Sequence, residues 1–147
     1  RVDRRQRQMC IRDSRPTLIT TSHFRKPETV MVAFDGSATG HKTLQMLASS
    51  PLCEGLPIHI VMVGTDSEDN QNALEKARTT LASSGSLVHS EIRPGEVEST
   101  LHAYQAEHGI DLLVMGAYGH SRIRQFLIGS TTTTMLRTST VPLLLLR

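Results

Sequence analysis

The sequence predicts an α/β domain built on an open, five-stranded parallel sheet with helices on both faces. Three observations support this fold class. Strands and helices alternate along the chain from residue 29 onward. Most strands are continuous apolar runs, such as TVMVAF at 29–34, which is typical of strands buried on both faces. Glycine, proline and small polar residues separate the elements at the spacing of βαβ units.

Each element has its own local signal. The strands are predicted at 29–34, 58–64, 86–93, 111–116 and 142–146. Helices are predicted between them, at 38–49, 67–83, 96–108 and 129–138. Ser67 and Asp69 are candidate caps for the second helix, and Gly109 stands where a glycine commonly ends a helix. Crossovers between parallel strands are expected to be right-handed.

Charge is distributed unevenly along the chain. Residues 1–26 carry a net charge of +6, and residues 27–147 carry −4. The predicted domain therefore has no general attraction for a phosphate backbone, and its few aromatic residues offer little for base stacking. No apolar run reaches the roughly 20 residues of a membrane span, and the charged N-terminal stretch lacks the apolar core of a signal peptide. We expect a cytoplasmic protein with neither a nucleic acid nor a membrane as partner.

The N-terminal 28 residues do not fit the alternating pattern. Residues 1–13 are predicted to be a disordered or non-native tail. The segment SRPTLIT at 14–20 resembles TVPLLLL at 140–146, because both place a proline before an apolar run. An internal repeat would make 14–28 the last strand of a preceding domain plus a linker, and would leave 29–147 as the present domain. A chance match over seven residues is the alternative.

Two loops are the candidate ligand-binding segments, because open α/β sheets bind ligands beyond the carboxyl ends of their strands. The first is Asp35-Gly36-Ser37, directly after the first strand of the domain. Asp35 either caps the next helix or accepts a hydrogen bond from a ligand. Neither a GxGxxG fingerprint nor a GxxxxGK[ST] loop is present, which excludes those two modes of nucleotide binding.

The second candidate loop is rich in glycine and follows the fourth strand of the domain. Glycines let backbone N–H groups approach phosphate oxygens, and the start of the next helix favours an anion. Hydroxyl and cationic side chains add donors and positive charge. An ordinary turn followed by an ordinary helix cap is the alternative. The residues that would form this phosphate cradle are Gly116, Gly119, His120, Arg122, Gly129, Ser130, Thr131 and Thr132.

The spacing of these glycines, G-2x-G-9x-G-[ST], resembles the ATP-binding motif of universal stress proteins. The stretch VMGAYGHSRIRQFLIGSTTTTMLRTSTVPLLLLR resembles the last third of that family, and VMVAFDGS resembles its opening strand. The resemblance covers residues 29–147. It implies a Rossmann-like sheet with strand order 3-2-1-4-5. It also implies that the last strand pairs with a second copy of the domain, as a homodimer or as a pseudo-dimer in a tandem chain.

The same resemblance implies a role for individual residues. Ala33 and Asp35 would border adenine and ribose, Val63 would offer backbone contacts to the base, and Met115 and Gly116 would line the opening toward the phosphates. The phosphates would be held by Gly119, Gly129, Ser130, Thr131 and Thr132. One departure lies in the base pocket, where Met62 stands in place of a histidine that many relatives carry.

These expectations predict an ATP-binding regulatory domain that acts in stress response through its conformation or its partner contacts. ATP is the expected cofactor, with any Mg²⁺ held through the phosphates. No catalytic residue and no metal-ligand spacing is predicted among the seven histidines or elsewhere. The alternatives are a dimerisation module that binds no nucleotide and a slow ATP hydrolase. Hydrolysis would need an acid near Ser130, and Asp35 is the only candidate.

Overall fold

The computed structural model describes residues 16–23, 25–116 and 131–146, without the side chains of residues 39, 131–133 and 136. Strands and helices alternate through these ranges, as the sequence predicts. The elements are β1 (Thr17–Ile19), β2 (Val30–Ala33), α1 (Ala38–Ala48), a 3-10 turn (Pro51–Cys53), β3 (Ile58–Val63), α2 (Glu68–Ala82), β4 (Val88–Arg93), α3 (Val97–His108), β5 (Leu112–Gly116), α4 (Thr131–Thr138) and β6 (Leu143–Leu146).

The described strands form one sheet in the order β1-β6-β5-β2-β3-β4. Strands β2 to β6 are mutually parallel, and their order is the predicted 3-2-1-4-5. The fold class is confirmed, but the predicted count of five strands is wrong by one. The sixth strand, β1, runs antiparallel to β6 at the edge of the sheet. It lies in the segment that the sequence analysis assigned to a preceding domain.

Both faces of the sheet are covered, which explains why the central strand β2 is apolar at every position. Alternate residues of a strand point to opposite faces. Val30 and Val32 join a core with α1 and α2 on one face, while Met31 joins a second core with α3 and α4 on the other. All three side chains are at most 1% exposed. Two helix layers on one sheet are the arrangement that the sequence predicts.

The helix ends follow from single residues. Ser37 begins α1, because its Oγ accepts a hydrogen bond from the Gly40 N–H. Ser67, one of the two predicted candidates, does the same for α2 by accepting from the Asn70 N–H, whereas Asp69 lies in the first turn of the helix. Helix α3 ends at Gly109, which has a φ of 61° that favours glycine. Among the described residues, no helix is long and apolar enough to cross a membrane.

Candidate functional site

The candidate site lies at the carboxyl ends of β2, β3 and β5. Strand β2 lies between the other two and is parallel to both. From β2 the chain builds β3 and β4 on one side, and then crosses back to build β5 and β6 on the other. Consecutive crossovers therefore reverse direction between β2 and β5, and such a switch point opens a crevice above the sheet.

Three of the predicted residues lie close together on the sheet at this switch point, where they would form the floor of a crevice. Ala33 is the register partner of Met115 on β5 and of Val61 on β3, which places Val63 two residues further along β3. Ala33, Val63 and Met115 belong to the same core, on the face of the sheet that α3 and α4 cover. Gly116 follows Met115 and ends β5. The strands thus bring together an apolar surface suited to the flat face of a base.

Asp35 stands exposed at the end of β2, and its loop is held by Ser37. The Ser37 hydroxyl donates to Asp35 Oδ1 over 2.6 Å, and the Ser37 backbone N–H donates to the same oxygen over 3.0 Å. Ser37 Oγ in turn accepts from the Gly40 N–H over 3.0 Å. The residue that caps α1 is therefore Ser37, so Asp35 remains available as an oriented acceptor at the crevice.

Gly40 packs closely against the Asp35 loop, a contact that the sequence analysis did not predict. A Cβ at this position would lie 2.9 Å from Asp35 Oδ1 and 3.0 Å from the ring of Phe34, which is closer than carbon atoms normally approach. A glycine is therefore needed where the first turn of α1 passes the Asp35 loop. The available signal was a glycine in a helix interior, where it is a weak helix former.

Met62, the departure from the expected pattern, is a core residue rather than part of the crevice floor. It is 2% exposed and packs on the face covered by α1 and α2. The nearest atom to a Cβ built on Gly36 is Met62 Cε, at 3.5 Å, and Gly36 has a φ of 78°. Met62 therefore supports the Asp35-Gly36-Ser37 turn from below.

The predicted phosphate cradle is described only at its two ends. Gly119, His120, Arg122, Gly129 and Ser130 lie outside the described residues. Gly116 ends β5, and Thr131 and Thr132 form the first turn of α4.

Helix α4 is short and rich in threonine, so packing must support it. Met135 is fully buried against the core. At the other end of α4, Thr138 Oγ1 lies 2.8 Å from His102 Nε2 of α3. Just beyond the helix, the Gln105 side chain of α3 donates to Thr140 Oγ1 over 3.1 Å. These contacts fix the position of the helix that contains Thr131 and Thr132.

A separate cavity of about 250 Å³ lies at the opposite, amino end of the sheet. Its lining includes Leu47, Cys53, Ser84 and Ser86. Burial raises the pKa of Cys53 to about 11, so the thiol stays protonated at neutral pH and is a poor nucleophile. Residues 16–23, 25–116 and 131–146 contain no group of three His, Cys, Asp or Glu side chains that could hold a metal ion.

Comparison with known proteins places this geometry in a family. The model of the universal stress protein family matches residues 64–147, which is more than half of the chain. The chain belongs to the universal stress protein family. The universal stress protein Slr1230 of Synechocystis is 43% identical to it over 135 residues, which are 90% of this chain and 47% of that protein. The chain thus spans about half the length of this curated relative.

Solved structures of universal stress proteins share the fold. One, in complex with cAMP, has a TM-score of 0.70 at 21% identity. The match covers 84% of this chain and 98% of the chain in that structure. A second, from Archaeoglobus fulgidus, has a TM-score of 0.71 at 23% identity and covers 91% of this chain but 50% of its own. A third, from the same organism and in complex with dAMP, has a TM-score of 0.64 at 17% identity, covering 84% of this chain and 100% of its own.

The dual role of Ser37 gives a first prediction. Replacing Ser37 with Ala removes the cap of α1 and the hydroxyl that holds Asp35, so the free energy of unfolding should fall by about 1 kcal/mol. Chemical denaturation measures this change. Ser67→Ala, which removes the matching cap of α2, should cost a similar amount, and Ser37→Thr should retain most of the stability. A Ser37→Ala protein as stable as the parent would contradict this role.

Proposed function

We propose that this universal stress protein domain binds an adenine nucleotide, with ATP as the leading candidate, and acts as a regulatory domain in stress response. One observation carries the proposal. The ends of β2 and β5 lie side by side, with the exposed Asp35 at one and the glycine-spaced segment beginning at the other.

Different residues at the crevice would contact the base, the ribose and the phosphates of the nucleotide. Ala33, Val63 and Met115 offer an apolar surface for the adenine ring, and Asp35 offers a carboxylate oxygen for ribose hydroxyls. Gly116 begins the segment proposed to hold the phosphates through backbone N–H groups, with any Mg²⁺ bound through the phosphates themselves. The rest of the proposed cradle is Gly119, His120, Arg122, Gly129, Ser130, Thr131 and Thr132.

The comparisons favour an adenine nucleotide as the class of ligand. Universal stress proteins with this fold have been solved in complex with cAMP and with dAMP. Both ligands combine adenine, a sugar and one phosphate. The apolar surface could contact the adenine, Asp35 could accept from the sugar, and the N-terminus of α4 could bind the phosphate. The glycine spacing of this chain, G-2x-G-9x-G-[ST], which resembles an ATP-binding motif, is the reason for proposing a triphosphate.

A regulatory role fits the site better than catalysis. Asp35 is the only acid expected at the switch point, where the resemblance assigns it to the ribose, and it accepts two hydrogen bonds from Ser37. Both hydrogen bonds fall on Oδ1, so this oxygen is already engaged within its own loop. We therefore propose that the nucleotide acts by stabilising one conformation of the domain, rather than by being turned over.

Equilibrium binding of ATP tests the proposal. The parent chain should bind ATP saturably, and Gly129→Val should weaken binding at least about tenfold, which corresponds to about 1.4 kcal/mol. A valine side chain there would block the backbone from approaching the phosphates. Thermal unfolding of both proteins serves as the control for folding. Equal affinities would exclude the cradle, and absence of binding by a folded parent would favour the dimerisation module.

We also propose that the outer edge of β6 is a domain-pairing edge, and that residues 14–28 are the end of a preceding domain and its linker. The register of β1 on β6 carries this proposal. Leu18 lies opposite Leu144, Thr17 opposite Leu145, and Ile19 opposite Leu143.

The register matches the symmetry of two equivalent strands. Aligning Pro16 with Pro142 makes Leu18 equivalent to Leu144, and these two residues are register partners. In the same alignment Thr17 is equivalent to Leu143 and Ile19 to Leu145. Thr17 pairs with Leu145 and Ile19 pairs with Leu143, so each residue pairs with the equivalent of the other. Two copies of one strand related by a two-fold axis would adopt this register. The lengths of Slr1230 and of the longer Archaeoglobus fulgidus protein, about twice that matched here, also support a tandem chain.

Detaching β1 tests whether β6 seeks a second copy. Ile19 is half-buried against the core, so Ile19→Lys should release β1 and leave the edge of β6 unpaired. The variant should then self-associate with increasing concentration in sedimentation velocity. Thr17→Lys places the same charge on an exposed position of β1 and should behave as the parent does. An Ile19→Lys protein no more associated than Thr17→Lys would contradict the proposal.

A further inference from the structure

Three histidines and a tyrosine form a cluster where the end of α3 covers β3 and β4. We call His59, His89, Tyr104 and His108 the histidine cluster. The ring centroid of His59 lies 5.5 Å from that of His89 and 5.1 Å from that of His108. The centroids of His89 and His108 lie 6.5 Å apart. His59 is the second residue of β3, so the cluster lies away from the carboxyl ends that form the candidate nucleotide site.

Tyr104 joins the three rings. His59 Nδ1 and Tyr104 Oη form a hydrogen bond of 2.7 Å. The Tyr104 ring stacks on the His108 ring with centroids 4.1 Å apart. His59 and His89 belong to the sheet, whereas Tyr104 and His108 belong to the last turns of α3. The histidine cluster therefore fastens the end of a helix to the edge of the sheet.

The charged groups around the cluster are largely committed to each other. On β4, the Nε of Arg93 lies 2.8 Å from a carboxylate oxygen of Glu91. The Nη2 of Arg93 lies 2.7 Å from a carboxylate oxygen of Glu107 on α3. Its guanidinium also lies 4.5 Å from the centroid of the Tyr104 ring. Glu91 lies 3.8 Å from His89, and Glu107 lies 3.9 Å from His108. On the other side of His59, β2 presents the apolar Met31.

The surroundings of His59 oppose its protonation. Burial lowers the pKa of His59 below its usual 6.5, the charges of His108 and His89 lower it further, and Glu91 opposes them. When folding lowers the pKa of a group, its contribution to the free energy of unfolding is fully present at a pH above its pKa in the unfolded state. That stability is lost as the pH falls from about 6.5 through the folded pKa. Lowering the pH therefore destabilises the folded arrangement of the cluster.

We propose that the histidine cluster is an acid-operated clasp between α3 and the β3–β4 edge. In the neutral form, the His59–Tyr104 hydrogen bond and the stacked rings hold the end of α3 on the sheet. In acid, three cationic rings within 6.5 Å of one another and beside Arg93 repel. The last turn of α3 then separates from the strands, while the apolar core beneath Leu101 keeps the helix itself in place.

The clasp bears on the candidate nucleotide site through a second set of contacts. Helix α3 also holds the end of α4 through the His102–Thr138 hydrogen bond and the segment after it through Gln105–Thr140. Gln105 belongs to the last turn of α3, so separation of that turn would weaken the Gln105–Thr140 contact just beyond the helix whose first turn is assigned to the phosphates. This consequence rests on the proposed function, whereas the clasp itself does not.

Nuclear magnetic resonance of the nucleotide-free chain tests the clasp. Histidine ring signals followed between about pH 8 and pH 4.5 should show His59 gaining its proton last. Over the same interval, amide protection at Gly109 and Ile110, which follow α3, should fall about tenfold. Because no nucleotide is present, failure of the nucleotide proposal leaves these results unchanged.

Single variants separate proton linkage from ordinary packing. His108→Gln and His89→Gln each remove one neighbouring charge, so each should raise the pKa of His59. His59→Gln should reduce the acid-induced loss of protection to less than about twofold. His41→Gln, on α1 and outside the cluster, should change neither quantity. Because His89 is largely exposed, its variant should fold even if His59→Gln does not. A pKa of His59 that is unmoved by both neighbours, or protection that is constant in acid, would overturn the proposal.

Discussion

The parallel pairing of β2 with both β3 and β5 is the constraint on which the rest of the structure depends. Because β2 has a strand on each side and helices over both faces, Val30, Met31 and Val32 must all be apolar. Because the three strands are parallel, their following loops converge at one end of the sheet. A register shift of one residue would exchange the two cores and move Ala33 away from Met115. Packing and site geometry are therefore fixed by the same hydrogen bonds.

Local sequence patterns predicted most of the fold because they record this double burial. Apolar runs marked the central strands, and Ser67 and Gly109 marked helix ends. The strand order came from the family resemblance, since no local pattern specifies which strands become neighbours. The place of β1 could not be predicted, because three mostly exposed residues have no usable periodicity. What positions β1 is the edge of β6, more than 120 residues away in the chain.

The candidate site was predicted best where it lies on regular strands. Ala33, Val63 and Met115 converge as expected, on one face of the sheet. Sequence alone could not decide whether Asp35 caps α1, because Asp35 and Ser37 are both capable helix caps. The Ser37–Gly40 hydrogen bond assigns the cap to Ser37. The need for Gly40 depends on a close approach between a helix and a loop, which composition does not reveal. The segment between Gly116 and Thr131 remains a prediction carried by its glycine spacing.

The central claim is that the convergent ends of β2, β3 and β5 receive a nucleotide. Mapping backbone amide chemical shifts during a titration with ATP tests this most directly. We expect the largest chemical-shift changes at residues 33–37, 63–64 and 115–116 and in the first turn of α4. Changes centred on the cavity near Cys53 and Ser84 at the amino end of the sheet, or spread evenly over the domain, would contradict it.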